Sequence, residues 1–386
     1  MSSEFRSIRV VIQQPALPKY RVPVFRELAR RPGLAVQVVH GSVPGLTNVA
    51  PSDLATRLVR LHRRTILGQT FLWHAPQWEY ATRAGADVLI LSWNTRYASL
   101  VPALLRARSN RVPTVLWGHG YSKHEAAWRS WPRRKIAELA TALLFYNHTT
   151  ARKFVEHYSW DPGRVFVALN ALDQAPIQAA RQHWLKHPEQ LDDFRQSKGV
   201  APGPVLLFVS RLAVDNRVDL LIRATQALSA AHPGVRAVII GKGPDEDRLR
   251  EVARDLDVSD RVRFVGAVYD EMQLAPWFLS SAAFCYPANI GLSMLHAFGY
   301  GLPVVTSDRV ESQNPEIDAL RPGQNGMLYA HDSVESLCGS LTTILNDPQR
   351  AATMSAEALR TATQQFTLAN MVDGMEAAAR FAAAGR

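Results

Sequence analysis

Gly291, Leu292 and Ser293 stand between an apolar run at 282–286 and a Leu-, Met- and Ala-rich stretch that reads as a helix to about residue 300. A strand–Gly–helix unit leaves backbone N–H groups unpaired at the helix start, and the helix dipole adds partial positive charge there. Such a start accepts a phosphate, although the same residues also suit an ordinary strand–helix–strand unit. Arg211 follows directly on another apolar run, 205–210, and a guanidinium there can grip phosphate oxygens in a bidentate way. His119 lies between Gly118 and Gly120 after the run 114–117, with little bulk around it. It reads as a histidine open to substrate or as a structural one. Lys19, Tyr20 and Arg21 close a proline-rich loop, 13–21, and read either as an acceptor- or phosphate-binding cluster or as a rigid cap on a sheet.

These groups need a scaffold that brings strand ends together. Short apolar runs alternate with helix-length segments: 9–13, 35–39, 88–91, 114–117, 142–146 and 165–168, then 205–210, 237–240, 262–265, 282–286 and 302–306. The alternation predicts parallel sheets built from strand–helix–strand units, with helices over 22–30, 100–108, 178–198, 333–345 and 368–383. At 386 residues the chain exceeds what one core usually serves, so two domains are expected. The breaker-rich stretch 200–204 is the expected linker.

The spacing Gly291-Leu292-x-x-Leu295-x-Ala297-x-x-x-Gly301-x-Pro303-Val304-Val305 resembles the donor-site segment of family 4 of the retaining glycosyltransferases. Ser210-Arg211-Leu212 followed by 218–222 is similar to that family's phosphate-binding loop and next helix. Ile239-Ile240-Gly241-Lys242-Gly243-Pro244 resembles its strand–G-x-G–helix unit. Arg263-Phe264-Val265-Gly266 resembles the strand leading to the nucleobase pocket, with Val268 just beyond it, and Asn170 and Asp173 match an N-x-x-D at the domain junction. The resemblance implies an α/β protein of GT-B type, with two Rossmann-like domains facing a cleft. Residues 1–199 would bind the acceptor and 200–367 the nucleotide-sugar, while 368–386 would cross back as a helix.

The resemblance implies donor contacts at Arg211, Gly241, Gly243, Val268, Gly291, Leu292 and Ser293. Glu316 matches a recurrent Pro-Glu that holds the donor loop, or else serves as a helix-start carboxylate. His119 corresponds to a family histidine near the transferring sugar. The sequence departs from the family where two glutamates are usual: Ala288 and His296 stand there. His296 can still bond a ribose hydroxyl, and Asn289 or backbone groups must replace the other glutamate. The family's phosphate-binding lysine aligns with Asn216 and its neighbouring glycine with Arg217, whose guanidinium is an alternative cation.

Composition narrows the partners. Residues 1–200 hold 28 Lys/Arg against 13 Asp/Glu, and the remainder 16 against 21, so the basic excess is confined to the first half. No helix-turn-helix, zinc-finger or aromatic RNA-binding pattern accompanies it, so nucleic acid is not the expected partner. An anionic membrane surface or a phosphorylated acceptor fits better, and a solvated basic face with no partner is the plain alternative. Trp128-Arg129-Ser130-Trp131-Pro132-Arg133-Arg134-Lys135 interleaves indoles with cations, as membrane-surface segments do, and also fits a helix start with two half-buried tryptophans.

No signal peptide or membrane-spanning run is read, and Cys285 and Cys338 have no metal or redox spacing. A cytoplasmic protein, peripheral at the inner membrane face, is the expectation. No D-x-D follows a suitable strand, so neither a metal nor another cofactor is expected. Gly241-Lys242-Gly243 lacks the third glycine of a nicotinamide site. The sequence thus points to a retaining transferase that moves a sugar from a nucleotide diphosphate to a hydroxyl on a glycan or lipid-linked precursor. An inactive nucleotide-sugar- or glycan-binding scaffold and a nucleotide-sugar epimerase are the alternatives.

Overall fold

A computed structural model describes residues 7–66, 68–120, 127–200 and 202–385. Ala201 of the expected linker lies outside them. The chain divides into two compact units, residues 1–170 with 368–386 and residues 171–367.

In the first unit the elements run β1 Ile8–Gln14, α1 Val22–Ala29, β2 Leu34–His40, β3 Thr56–Leu58, β4 His62–Ile66, β5 Gln69–Trp73, α2 Ala75–Glu79, β6 Val88–Ser92, α3 Leu100–Ser109, β7 Thr114–Gly118, α4 Ala127–Ala137, β8 Ala142–Phe145, α5 His148–Tyr158 and β9 Val165–Val167. Seven strands form a parallel sheet in the order β3-β2-β1-β6-β7-β8-β9, with β4 and β5 a separate antiparallel hairpin. A parallel sheet covered on both faces needs apolar side chains on both. β6 and β7 comply: each is buried along its whole length. α1 has a proline in its first turn, where a missing N–H costs nothing, and buries Val22, Val24, Phe25 and Leu28. α5 is capped by Asn147, which accepts from the Thr150 N–H at 3.0 Å.

The second unit continues with α6 Ala175–Leu185, α7 Pro188–Ser197, β10 Val205–Val209, α8 Val218–Leu228, β11 Arg236–Ile240, α9 Glu246–Asp255, β12 Val262–Gly266, α10 Glu271–Leu279, β13 Ala283–Cys285, α11 Ser293–Gly299, β14 Val304–Ser307, β15 Gly326–Tyr329, α12 Val334–Leu345 and α13 Pro348–Arg360. Its six strands are parallel in the order β12-β11-β10-β13-β14-β15. The last helix, α14 Leu368–Ala384, groups with the first unit. Its Gly374 lies so close to β9 that an added Cβ would sit 1.9 Å from the Val167 carbonyl oxygen. Arg31 pairs with Asp373 of the same helix at 2.8 Å.

The units part at residue 170, not at the expected 199, because α6 and α7 belong with the second unit. Gln178 donates to the Gly299 carbonyl at 2.6 Å and Trp184 to that of Met272 at 2.8 Å. The helix expected over 178–198 is two helices, since Pro188 opens a new one. The hairpin β4–β5 and helix α13 have no counterpart in the sequence reading. Among the described residues no helix is long and apolar enough to cross a membrane.

Candidate functional site

Both sheets reverse their strand order beside the first strand of the unit, β1 between β2 and β6, and β10 between β11 and β13. Ligands of open α/β sheets bind outside the strand carboxyl ends at such switch points.

In the first unit that position holds a cavity of about 700 Å³. Gln14 ends β1, Ser92 ends β6, Gly118 ends β7, and Tyr146 follows β8; all four line it. Of the expected acceptor residues, Tyr20 and Arg21 line the cavity and Lys19 does not. Arg21 stands over two rings, 5.3 Å from the centroid of Trp117 and 5.2 Å from that of Tyr146, and its Nη1 is buried with no hydrogen-bond acceptor. His119 is exposed at the rim, its ring 4.9 Å from Tyr146. Arg96 and Arg133 also line it, and among the described residues no carboxylate does.

Beneath the cavity a buried polar network locks the strand ends. The Gln13 side-chain oxygen accepts from Gln77 at 2.9 Å and from the Ser92 N–H at 3.1 Å, and Ser99 donates to Gln77 at 2.6 Å. His74 is fully buried beside Tyr97, and burial pushes its pKa down to about 4, with nearby His40 lowering it further. His40 is lowered by burial too.

In the second unit Arg211 leaves β10 and is exposed. Its carbonyl accepts from Asn216 at 2.7 Å, and the Asn216 side-chain oxygen accepts from Asn289 at 3.3 Å. Asn216 is thus a buried brace joining the loops after β10 and β13, a different task from the phosphate contact expected of it. Arg217 turns away as well: its guanidinium meets Asp219 at 3.2 Å and also pairs with Asp332. The hydrogen bond to Asp219 raises the Arg217 pKa.

His296 differs most from expectation. Its Nε2 lies 2.7 Å from Glu271, which also accepts from the Tyr300 hydroxyl at 2.5 Å, and its ring packs on Phe278 at 4.7 Å. The side chain therefore faces α10, because α11 turns that side of itself to an aromatic wall. Glu271 titrates below the usual carboxylate range, held there by His296 and Tyr300 against its own burial.

Gly241 and Gly243 let two loops run backbone to backbone. At Gly241, with φ 146°, a Cβ would fall 1.8 Å from the Ser210 carbonyl oxygen, and at Gly243 2.0 Å from that of Leu212. Asn289 adopts a left-handed conformation, φ 62°, and Asn314 donates to the carbonyls of Asn289 and Ile290 at 3.0 and 3.1 Å. That brace presents Gly291, Leu292 and Ser293, all partly accessible, ahead of α11. Glu316 is buried in the turn Pro315–Ala319, and Val268 is half-buried beyond β12.

Sequence reasoning missed Gln14, Ser92, Trp93 and Arg96. Each stands within five residues of the end of an apolar run, the place where a doubly wound sheet exposes its ligands, and that position is the one signal the sequence carries for them. Trp128 and Arg129 lie outside the residues whose side chains are described; Trp131 of the same helix is 59% exposed. Among the described residues no group of three or more His, Cys, Asp or Glu is placed to hold a metal.

Two parallel sheets with sites at their switch points define a GT-B protein. Solved structures agree: an Anabaena protein, Alr3699/HepE in complex with UDP, superposes with a TM-score of 0.69 at 18% identity, covering 96% of this chain and 98% of that one. The apo lipopolysaccharide outer core galactosyltransferase WaaB gives 0.67 at 14%, again covering 96% and 98%. Residues 203–347 match the family model described as glycosyl transferases group 1. The GDP-mannose-dependent alpha-(1-6)-phosphatidylinositol monomannoside mannosyltransferase of Mycolicibacterium smegmatis is 26% identical over 67% of this chain, and the D-inositol 3-phosphate glycosyltransferase of Rhodococcus erythropolis 28% over 65%. The chain spans 66% of the first relative's length and 56% of the second's. The chain thus has the GT-B fold, and its residues 203–347 are similar to the group 1 glycosyl transferases.

Proposed function

We propose that the protein transfers a sugar from a nucleotide diphosphate to a hydroxyl acceptor, with retention at the anomeric carbon. The observation that carries this reading is the location of the matched segment. Residues 203–347 span the switch point where Arg211 and the 289–293 loop converge. Arg211 and the backbone N–H groups of Gly291, Leu292 and Ser293 offset the diphosphate charge with no metal invoked. The cavity of the first unit takes the acceptor, with His119 beside the transferring sugar.

A glycan or lipid-linked precursor at the cytoplasmic face of a membrane is the acceptor we favour. Supporting it are the relatives named for phosphatidylinositol mannoside and inositol phosphate, and exposed Trp131 beside Arg133, Arg134 and Lys135. Basic groups beside an anionic surface gain about 1 kcal/mol each.

Calorimetry with UDP and GDP tests the donor side. Arg211→Ala should cost about 1.5–3 kcal/mol of nucleotide affinity, and a change such as Arg60→Ala in the basic half under 1. His119→Ala should lower turnover more than tenfold with nucleotide affinity nearly unchanged. An NMR coupling constant showing an inverted product would end the retaining assignment. A binding-only scaffold is the second reading, favoured by His296 and Arg217 being engaged within the chain. Nucleotide binding without turnover on any acceptor would select it.

A further inference from the structure

The elbow between α6 and α7 brings two histidines together on the second unit. His183 lies in the last turn of α6, and His187 stands just ahead of α7, four residues on. Their ring centroids are 4.7 Å apart at an interplanar angle of 37°, and both side chains are exposed. The Nδ1 of His187 lies 2.7 Å from the His183 carbonyl oxygen. A carbonyl only accepts, so Nδ1 carries the proton and Nε2 keeps its lone pair. Histidines that ligate metals are oriented in this manner, by donating the second ring N–H to a carbonyl or carboxylate. Neither ring nitrogen of His183 has a protein partner among the described residues. Imidazole nitrogens bind a metal at about 2.0–2.1 Å, which puts each ring centroid about 3.2 Å from the ion. Two such centroids are about 4.5 Å apart at a right angle and about 5.2 Å apart at the tetrahedral angle. The observed spacing falls between the two.

We propose that His183 and His187 form a two-histidine site for a transition-metal ion of the copper(II), nickel(II) and zinc(II) class, with water in the remaining positions. Among the described residues no third His, Cys, Asp or Glu joins the pair. Two imidazoles suit these ions, whereas calcium and magnesium need oxygen ligands. The bound ion clasps the end of α6 to the start of α7. Trp184 stands beside it, its ring 6.1 Å from that of His183 and 6.0 Å from that of Phe194 in α7. The site uses none of the residues assigned to the donor or the acceptor, and the inference does not depend on the transferase reading.

The test is titration of the full chain with copper(II), nickel(II), zinc(II), calcium and magnesium in a non-coordinating buffer. Copper(II) should occupy the tightest site, nickel(II) and zinc(II) should compete for it more weakly, and calcium and magnesium should not displace them. His183→Gln and His187→Gln should each weaken that site by about tenfold or more, because a tethered pair of ligands is reduced to one. The double variant should then lose little beyond either single one. His183 is exposed and its ring makes no hydrogen bond, so His183→Gln carries the test alone should His187→Gln, which gives up its bond to the end of α6, not fold. Copper(II) at the tight site should also quench part of the tryptophan emission, and Trp184→Phe should remove that part while copper affinity stays within twofold. Equal copper affinity in wild type and His183→Gln would overturn the inference. So would a quench undiminished in Trp184→Phe, which would put the ion elsewhere, or displacement of copper(II) by calcium or magnesium, which would require oxygen ligands.

Discussion

The two units share a plan and differ in how they treat charge. Each places its site where the sheet order reverses, at β1/β6 and at β10/β13. In the second unit the cations near that point are largely spent on neighbours: Arg217 on Asp219 and Asp332, and Arg248 on Asp245 at 2.6 Å. Arg211 at the strand end is exposed. In the first unit no carboxylate among the described residues lines the cavity, and the loops are held from below by amides and hydroxyls instead. Pairing cations fixes loop shape at the expense of ligand charge, whereas neutral bracing leaves the charge available. One unit's candidate site is shaped by backbone and ion pairs, the other's by amides and hydroxyls.

The largest expected effect strikes the backbone-braced unit. Gly241→Ala forces a Cβ to within 1.8 Å of the Ser210 oxygen at a φ of 146°, a region that L-residues rarely enter. A loss of about 4 kcal/mol is expected, at the upper end for a single substitution. Urea unfolding followed by tryptophan fluorescence should show the second unit melting early and the first unit unchanged. A variant as stable as wild type would mean the two loops are not tightly apposed.

Asp219→Asn comes next. This side chain is only 10% exposed and accepts from Arg217 at 3.2 Å, with Arg248 3.7 Å away. Removing its charge leaves two guanidinium groups facing each other with one carboxylate fewer, at a cost of about 2 kcal/mol. The same measurement checks it, and a cost below 0.5 kcal/mol would show that Asp332 and Asp245 suffice alone.

This contrast explains what the sequence disclosed. Gly241 and Gly243 were legible because close backbone approach admits only glycine and imposes a fixed spacing. The sheets were legible because strands buried on both faces, such as Val88–Ser92, read as continuous apolar runs. The cavity was mostly illegible, since Gln14, Ser92, Arg96 and Tyr146 come from three separate strand ends, those of β1, β6 and β8, with no spacing rule between them. His296 misled because a residue aligned by spacing on α11 says nothing about Glu271, 25 positions away, which captures it. Likewise the passage 178–198 showed its helices but not which sheet they cover, a matter of tertiary packing.

Acid should separate the units a little less strongly. His74 is held neutral, with its pKa down from 6.5 to about 4. Above 6.5 neither folded nor unfolded chain carries this proton, so the histidine adds no pH dependence. As pH falls from 6.5 toward 4 the unfolded chain binds a proton that the folded one refuses, and stability drops by about 1.4 kcal/mol per unit at most. Below about 4 both states are protonated and the loss stops. Between pH 6.5 and 5, before carboxylates dominate, the first unit should lose stability faster than the second, and His74→Gln should flatten the slope. An unchanged slope would assign the effect to His40.

Surface charge should give the smallest effect, yet with opposite signs in the two units. Counted over the compact units, the first holds 26 Lys/Arg against 11 Asp/Glu and the second 18 against 23. Arg57 pairs with Glu79 at 2.9 Å in the first and Arg250 with Glu246 at 2.8 Å in the second, both largely exposed on the arginine side. Each pair is worth under about 1 kcal/mol. Deleting a carboxylate from the basic unit also removes attraction to many distant cations, whereas deleting one from the acidic unit relieves repulsion. Glu79→Gln should therefore destabilise by a few tenths of a kcal/mol more than Glu246→Gln. The gap should close in 1 M salt, where the screening length falls to about 3 Å and only the local pair survives. A gap that persists in salt would have to come from local geometry, and the charge contrast between the units would then have no bearing on their stability.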